Sequence, residues 1–211
     1  MQLSDFLQQF IDVILPPSHE SVIIRPETVR SFSTLYKPRR KNEILILSQY
    51  QDKIVRAAIQ ANKFNNDRHA SILLASLLER HLSNHYMDSK KRVQIIPIPL
   101  SRKRQMERGY NQVQSIIDNL SAEVKNMFLT YQALERTRNT KPQSMLSRTN
   151  RLQNLNNAFI TNSKITTINP LKPIWLLDDV STTGTTLQQA LLTLPSEIKH
   201  SKYIQLLAIA G

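Results

Sequence analysis

Cysteine does not occur in the 211 residues, which excludes disulfides, a thiolate zinc site and a cysteine nucleophile. Nothing then points to an oxidising compartment, and the composition fits a cytoplasmic protein. Glycine occurs only three times. Gly211 closes the sequence, so the interior pair, Gly109 and Gly184, are expected where the backbone needs a conformation other residues resist. Acidic residues are also scarce, 16 against 28 Lys and Arg, giving a net charge of +12 that calls for polyanionic ligands. No apolar run approaches the ~20 residues needed to span a bilayer. The opening MQLSDFLQQFIDVILPP lacks a basic leader and carries Asp5 and Asp12, so it does not read as a signal peptide. The length supports one good core and not two full domains.

What is present is concentrated in Ile174 to Thr186, IWLLDDVSTTGTT. Ile174, Trp175, Leu176 and Leu177 show no polar alternation, which predicts a strand buried on both faces of a parallel sheet. Ligands gather at the carboxyl ends of such strands. Asp178 and Asp179 fall there and suit a sugar diol, since a carboxylate accepts short O–H···O bonds well. Ser181, Thr182, Thr183, Gly184, Thr185 and Thr186 follow as a loop of small residues. Leu187, Ala190, Leu191 and Leu194 then recur at helical spacing. Strand, small-residue loop and helix N-terminus together favour an anion. An ordinary strand-to-helix turn would need no ligand.

Along the rest of the chain, Leu3 to Leu15 has helical periodicity. Val22–Ile24 and Ile44–Leu47 read as short strands, with Lys37, Arg39, Arg40 and Lys41 as a basic turn between them, either solvated or a contact site. Tyr50–Phe64 and the segment of Ile72 to Leu78 read as helices. His81 and His85 lie one turn apart, but no third metal ligand is evident, and exposed helix histidines are expected. Val93–Ile98 reads as a strand whose end lies near an edge or rim, because of Pro97 and Pro99. A helix with Val113, Ile116, Ile117 and Leu120 follows, and Tyr203–Ala210 is a last strand. Strand and helix alternate from Val93 onward, which predicts an α/β, doubly wound, mainly parallel sheet with flanking helices.

Two basic stretches frame the motif. The first, PIPLSRKRQMERGYNQ, holds Arg102, Lys103, Arg104 and Arg108, then Gly109, Tyr110, Asn111 and Gln112. The second, LERTRNTKPQSMLSRTNRLQNL, holds Arg136, Arg138, Lys141, Arg148 and Arg151. Together they carry +7 of the chain's +12. Each alone reads equally as a solvated face. Beside a predicted phosphate loop they become candidates for pyrophosphate or polyanion contacts.

The string IWLLDDVSTTGTT closely resembles the phosphoribosyl pyrophosphate (PRPP) motif of type I phosphoribosyltransferases. That resemblance implies that Asp178 and Asp179 hold the ribose hydroxyls and that Thr182–Thr186 cradles the 5-phosphate. The three segments together, in this order, resemble the ComF (competence protein F) family, a phosphoribosyltransferase-fold group tied to DNA uptake and natural transformation. The likeness runs from about Tyr50 to the end. It implies that Arg102, Arg104, Arg108, Gly109, Asn111 and Gln112 belong to a basic signature near the pyrophosphate, with Lys103 among them. Lys141, Pro142, Gln143, Leu146, Ser147, Arg148, Arg151, Asn154, Ala158 and Phe159 match a flexible-loop signature. Many relatives begin with a cysteine-rich zinc ribbon. Here no zinc is expected, and residues 1–48 form a metal-free segment ahead of a phosphoribosyltransferase-like domain at 49–211.

The expected ligands are PRPP with Mg²⁺, which is commonly shared with substrate phosphates, and single-stranded DNA, bound mainly electrostatically. Competence helicase or recombination proteins are the partners implied. As an enzyme, the protein would catalyse attack of a nitrogen nucleophile on C1 of PRPP with loss of pyrophosphate, through positioning and charge neutralisation. No general base and no acceptor can be read from the residues.

Overall fold

The computed structural model of the chain describes residues 18–86, 92–137 and 158–211. The periodic segment Leu3 to Leu15 and the residues Arg138, Lys141, Arg148 and Arg151 lie outside the described residues. The fold is α/β and doubly wound. Its sheet has six strands in the order β1-β2-β8-β7-β3-β4, where β1 is Arg39–Lys41, β2 Ile44–Ser48, β3 Val93–Pro97, β4 Phe128–Thr130, β7 Ile174–Val180 and β8 Ile204–Ala210. All pairings are parallel except β1 with β2. A separate antiparallel pair joins β5 (Leu134–Arg136) to β6 (Phe159–Thr161).

The unbroken apolar run of β7 is explained by what lies on its two faces. Trp175 and Leu177 join Leu207 and Ile209 of β8 in one core, under α3 (Lys53–Asn65), α4 (Arg68–Tyr86), α6 (Gln112–Asp118) and the short α7 (Ala122–Lys125). Ile174 and Leu176 join Leu206 and Ala208 in a second core, closed by Leu187 and Ala190 of α8 (Thr185–Thr193) and by Leu134 and Phe159 of the β5–β6 pair. A strand with helices over both faces has no position where a polar side chain would meet water. Its carboxyl end is the first place where one can.

Pro97 does end at a rim, although β3 is not an edge strand. The β3 groups facing β4 are the odd-numbered ones, as shown by Val93 N donating to the Met127 carbonyl and the Ile95 carbonyl accepting from Tyr131 N, each at 2.8 Å. Pro97 falls on that side beyond the end of β4, so its missing N–H breaks no ladder bond. On the other side Ile98 N continues the pairing with the Leu177 carbonyl at 2.8 Å.

Two expectations near the front are corrected. Val22–Ile24 is not a strand but the end of α1 (His19–Ile24), which Ser18 caps by accepting from Ser21 N at 3.1 Å. A second short helix, α2 (Val29–Ser33), follows with Thr28 and Ser31 forming a reciprocal capping box. Arg39, Arg40 and Lys41 are not a turn either. They form the antiparallel edge strand β1, whose exposed basic side chains keep that edge from pairing further. No helix among the described residues is long and apolar enough to cross a membrane.

Candidate functional site

The site is assembled at the carboxyl ends of β7 and β3. Asp178 and Asp179 are both buried, at 7% and 5% exposure, although they are the only acids on their strand. Asp178 Oδ1 accepts from Asp179 N at 2.9 Å, and Asp179 Oδ1 accepts from Val180 N at 2.9 Å. Asp179 Oδ2 is buried with no hydrogen-bond partner among the described residues. A buried carboxylate oxygen with a free lone pair marks a place where a donor is missing. Burial, and next the adjoining Asp179, push the Asp178 carboxyl well above the usual carboxylate range, opposed by the nearby Lys63. The pair therefore holds a proton more tightly than an isolated acid does.

The loop after β7 carries donors. Ser181 is buried, and its N–H donates to the Ala210 carbonyl at 2.9 Å, which pins the loop to β8. Thr182 and Thr183 are exposed, and the Thr183 and Thr185 hydroxyls meet at 2.9 Å. Gly184 is the N-cap of α8 with φ of 82°, a left-handed conformation that an L side chain resists, and a Cβ there would run into Ile44. A glycine cap offers no side chain to the first turn of α8; Thr185 N donates to Thr183 Oγ1 at a long 3.5 Å, and the N–H groups that follow suit an anion. Gly211 is also more than a terminus. It lies against this loop, where a Cβ would come within 2.5 Å of the Ser181 carbonyl, and its carbonyl accepts from Tyr50 N at 3.1 Å.

The first basic stretch becomes α5 (Arg102–Arg108), a helix with no buried residue. Buried Ser101 caps it, and Gly109 ends it in the left-handed conformation, with φ of 76°. Arg102, Lys103 and Arg104 are exposed, and Lys103 is paired with Glu107 at 3.8 Å. Arg108 is half-buried. Its Nη1 donates to Gln112 Oε1 at 3.2 Å, and it is held charged in part by Asp179 against the pull of burial and of Arg104. Asn111 caps α6 by accepting from Val113 N and Gln114 N, while its Nδ2 donates to the Ile98 carbonyl. The basic helix is thereby tied to the end of β3.

Arg136, from the second stretch, reaches the same place. Ser101 and Arg136 form a parallel bridge, and the Arg136 guanidinium feels burial first, then Arg104 and Asp178. The described ends of both basic stretches thus converge on the carboxylate pair. Alternation along β7 aims the two acids differently: Asp179 is coupled to Arg108, and Asp178 to Arg136 and Lys63.

Two groups, Lys63 and Phe64, were not legible as site residues, while Lys41 was legible only as part of a basic segment either solvated or a contact site. Lys63 sits in the last turn of α3, and Lys41 on β1 donates to the Thr182 carbonyl at 3.1 Å across 141 residues of sequence. Phe64, beside Lys63, is 66% exposed. The one available signal was the Lys-Phe pair directly before the Asn65, Asn66, Asp67 break. His81 is the opposite case. Its side chain is 3% exposed, not solvated, because it continues the core-facing row of Leu77 and Leu78. Its Nδ1 lies 2.9 Å from the Tyr36 hydroxyl and its ring 5.2 Å from that of Trp175. Burial first, and His85 next, lower its pKa to about 4.

The chain is 34% identical over 159 residues to Competence protein F of Haemophilus influenzae, an alignment covering 70% of this chain and 64% of that protein. The chain therefore spans a little under two thirds of that relative's length. No protein-family model matches it.

Proposed function

We propose that the chain is a ComF-family, competence-related protein, a reading supported by its 34% identity over 159 residues to Competence protein F, and that its cleft binds PRPP with magnesium while its basic rim binds single-stranded DNA. The observation that carries this reading is the buried Asp178–Asp179 pair, with Asp179 Oδ2 unpartnered among the described residues and a glycine-capped helix N-terminus following directly. Ribose hydroxyls donate to carboxylates, and a 5-phosphate accepts from backbone N–H groups, so one phosphoribosyl ligand meets both needs. In this reading Asp178 and Asp179 hold the diol, and Ser181, Thr182, Thr183, Gly184, Thr185 and Thr186 hold the 5-phosphate with Lys41 nearby.

Arg102, Arg104, Arg108, Lys63 and Arg136 offset the pyrophosphate charge, while Lys103 is engaged by Glu107. No group of three or more metal-ligating side chains occurs among the described residues. Mg²⁺ keeps waters and binds through one or two carboxylates plus ligand phosphates. Asp178 and Asp179 are the residues that would hold it, and its contribution is neutralisation of phosphate charge.

DNA would use the same cations through its phosphates, giving sequence-independent and salt-sensitive affinity. The test is calorimetric titration of PRPP and MgCl₂ into the protein and into the Asp178→Asn, Asp179→Asn double variant. The expected result is saturable binding that weakens roughly 10- to 100-fold in the variant, the size of lost charged hydrogen bonds. Equal affinity in the two proteins would remove the diol role.

A further inference from the structure

Phe64 is the only aromatic among the exposed large hydrophobic side chains of the described residues, at 66% exposure. An isolated exposed apolar residue needs no explanation. This one is set in a rigid and charged frame. Its neighbours on either side are pinned to one ring: the Tyr110 hydroxyl donates to the Asn62 carbonyl at 2.6 Å and accepts from Asn66 N at 3.0 Å. Asn62 is fixed further, its Nδ2 donating to the Gln112 carbonyl at 3.1 Å and its Oδ1 accepting from Ser71 Oγ at 2.8 Å. Asn66 ends α3 in the left-handed conformation, with φ of 50°. Phe64 is therefore presented by a braced helix end and not by a loose loop.

The cations beside it are those of the site. The Arg108 guanidinium lies 5.2 Å from the Phe64 ring centroid and Lys63 Nζ lies 5.9 Å from it. Both distances are in the range of cation–π attraction. Arg108 is coupled to Asp179 and Lys63 to Asp178. An exposed ring with two cations within cation–π range is an arrangement that can take a base on the ring and its phosphates on the adjoining charges. A bare pyrophosphate would use the cations and leave the ring idle.

We propose that Phe64 is a stacking platform for a nucleobase of single-stranded DNA, with Lys63 and Arg108 holding the adjoining phosphates. This rests on the DNA-binding part of the functional reading above. The ring's low entropy cost and lack of hydrogen-bonding groups make the contact tolerant of sequence.

The chain's single tryptophan, Trp175, is fully buried, so Phe64→Trp adds a surface fluorophore that reports stacking separately. We would titrate this variant with a thymidine oligonucleotide, an abasic strand of equal length and charge, and thymidine monophosphate. Anisotropy of labelled strands on the parent and on Phe64→Ala would be followed alongside. The expected result is quenching by the intact strand and not by the abasic one. Phe64→Ala should weaken intact-strand binding roughly 5- to 150-fold, the worth of one stacked base, and leave abasic binding unchanged. Equal quenching by both strands, or unchanged affinity of Phe64→Ala for the intact strand, overturns the platform while leaving DNA binding in place. Failure of the parent to bind either strand at low salt overturns the DNA reading itself. Quenching by the monophosphate with no strand bound overturns the DNA assignment and gives the ring to free nucleotides.

Discussion

Asp178 shows how a single residue carries both a cost and a use. Its pKa is raised by burial and by its neighbouring acid, so the native protein binds a proton that the unfolded chain, with a carboxyl near the ordinary ~3.9, has already released. Where the native state binds more protons than the unfolded one, stability falls as pH rises through that window. Asp178→Asn keeps the shape and removes the charge. In the absence of ligand it should unfold at a higher urea midpoint than the parent at about pH 8, with the difference closing toward about pH 4. A variant no more stable than the parent at the higher pH would show that the pair is not under electrostatic load. His81 acts in the other direction. Its depressed pKa means that the unfolded chain takes up the proton first, so its contribution is lost as pH falls from about 6.5 through about 4. The places of Gly184 at the turn into α8 and of the two aspartates at the end of β7 were legible from the sequence because each is chemically conspicuous. The burial of His81 was not, since one polar residue in an apolar helix can face either way.

Among the elements, the caps decide where the basic helix stands. Asn111 joins α6 to the Ile98 carbonyl just beyond β3, and Gly109 stops α5 beside it. Replacing Asn111 with Ala removes both acceptor bonds of the cap and leaves the buried end of α6 without a partner. The expected cost is about 1 to 2 kcal/mol in urea unfolding, with PRPP affinity reduced as well because α5 loses its anchor. Loss of stability without loss of affinity would mean that α5 keeps its place by other contacts.

The long elements were readable because helical and strand periodicities had room to separate: α3, α4, β7 and β8 all lie where their patterns put them. The short ones were not. Val22-Ile23-Ile24 looks like a strand by content, and only the Ser18 cap gives the helix away. Arg39–Lys41 has no apolar signal at all and becomes a strand only because β2 offers it a partner.

At the scale of the whole molecule, the finding the sequence could not supply is convergence. Arg104 and Arg108 from α5, Arg136 from β5, Lys63 from α3 and Lys41 from β1 are scattered along the chain. Loop closure and sheet order bring the first four within electrostatic reach of one another or of the carboxylate pair, and Lys41 onto the adjoining loop. No local pattern encodes such a meeting. Its consequence is that PRPP and single-stranded DNA should draw on one set of cations and exclude one another. The direct measurement is anisotropy of a labelled oligonucleotide bound to the protein while PRPP and MgCl₂ are added, with the Asp178→Asn, Asp179→Asn variant as control. The account predicts complete release of the strand by the parent, at a PRPP concentration that rises in proportion to the DNA present, and retention of the strand by the variant. A strand that stays bound to the parent at saturating PRPP would place the two ligands on separate surfaces and contradict the single-cleft account.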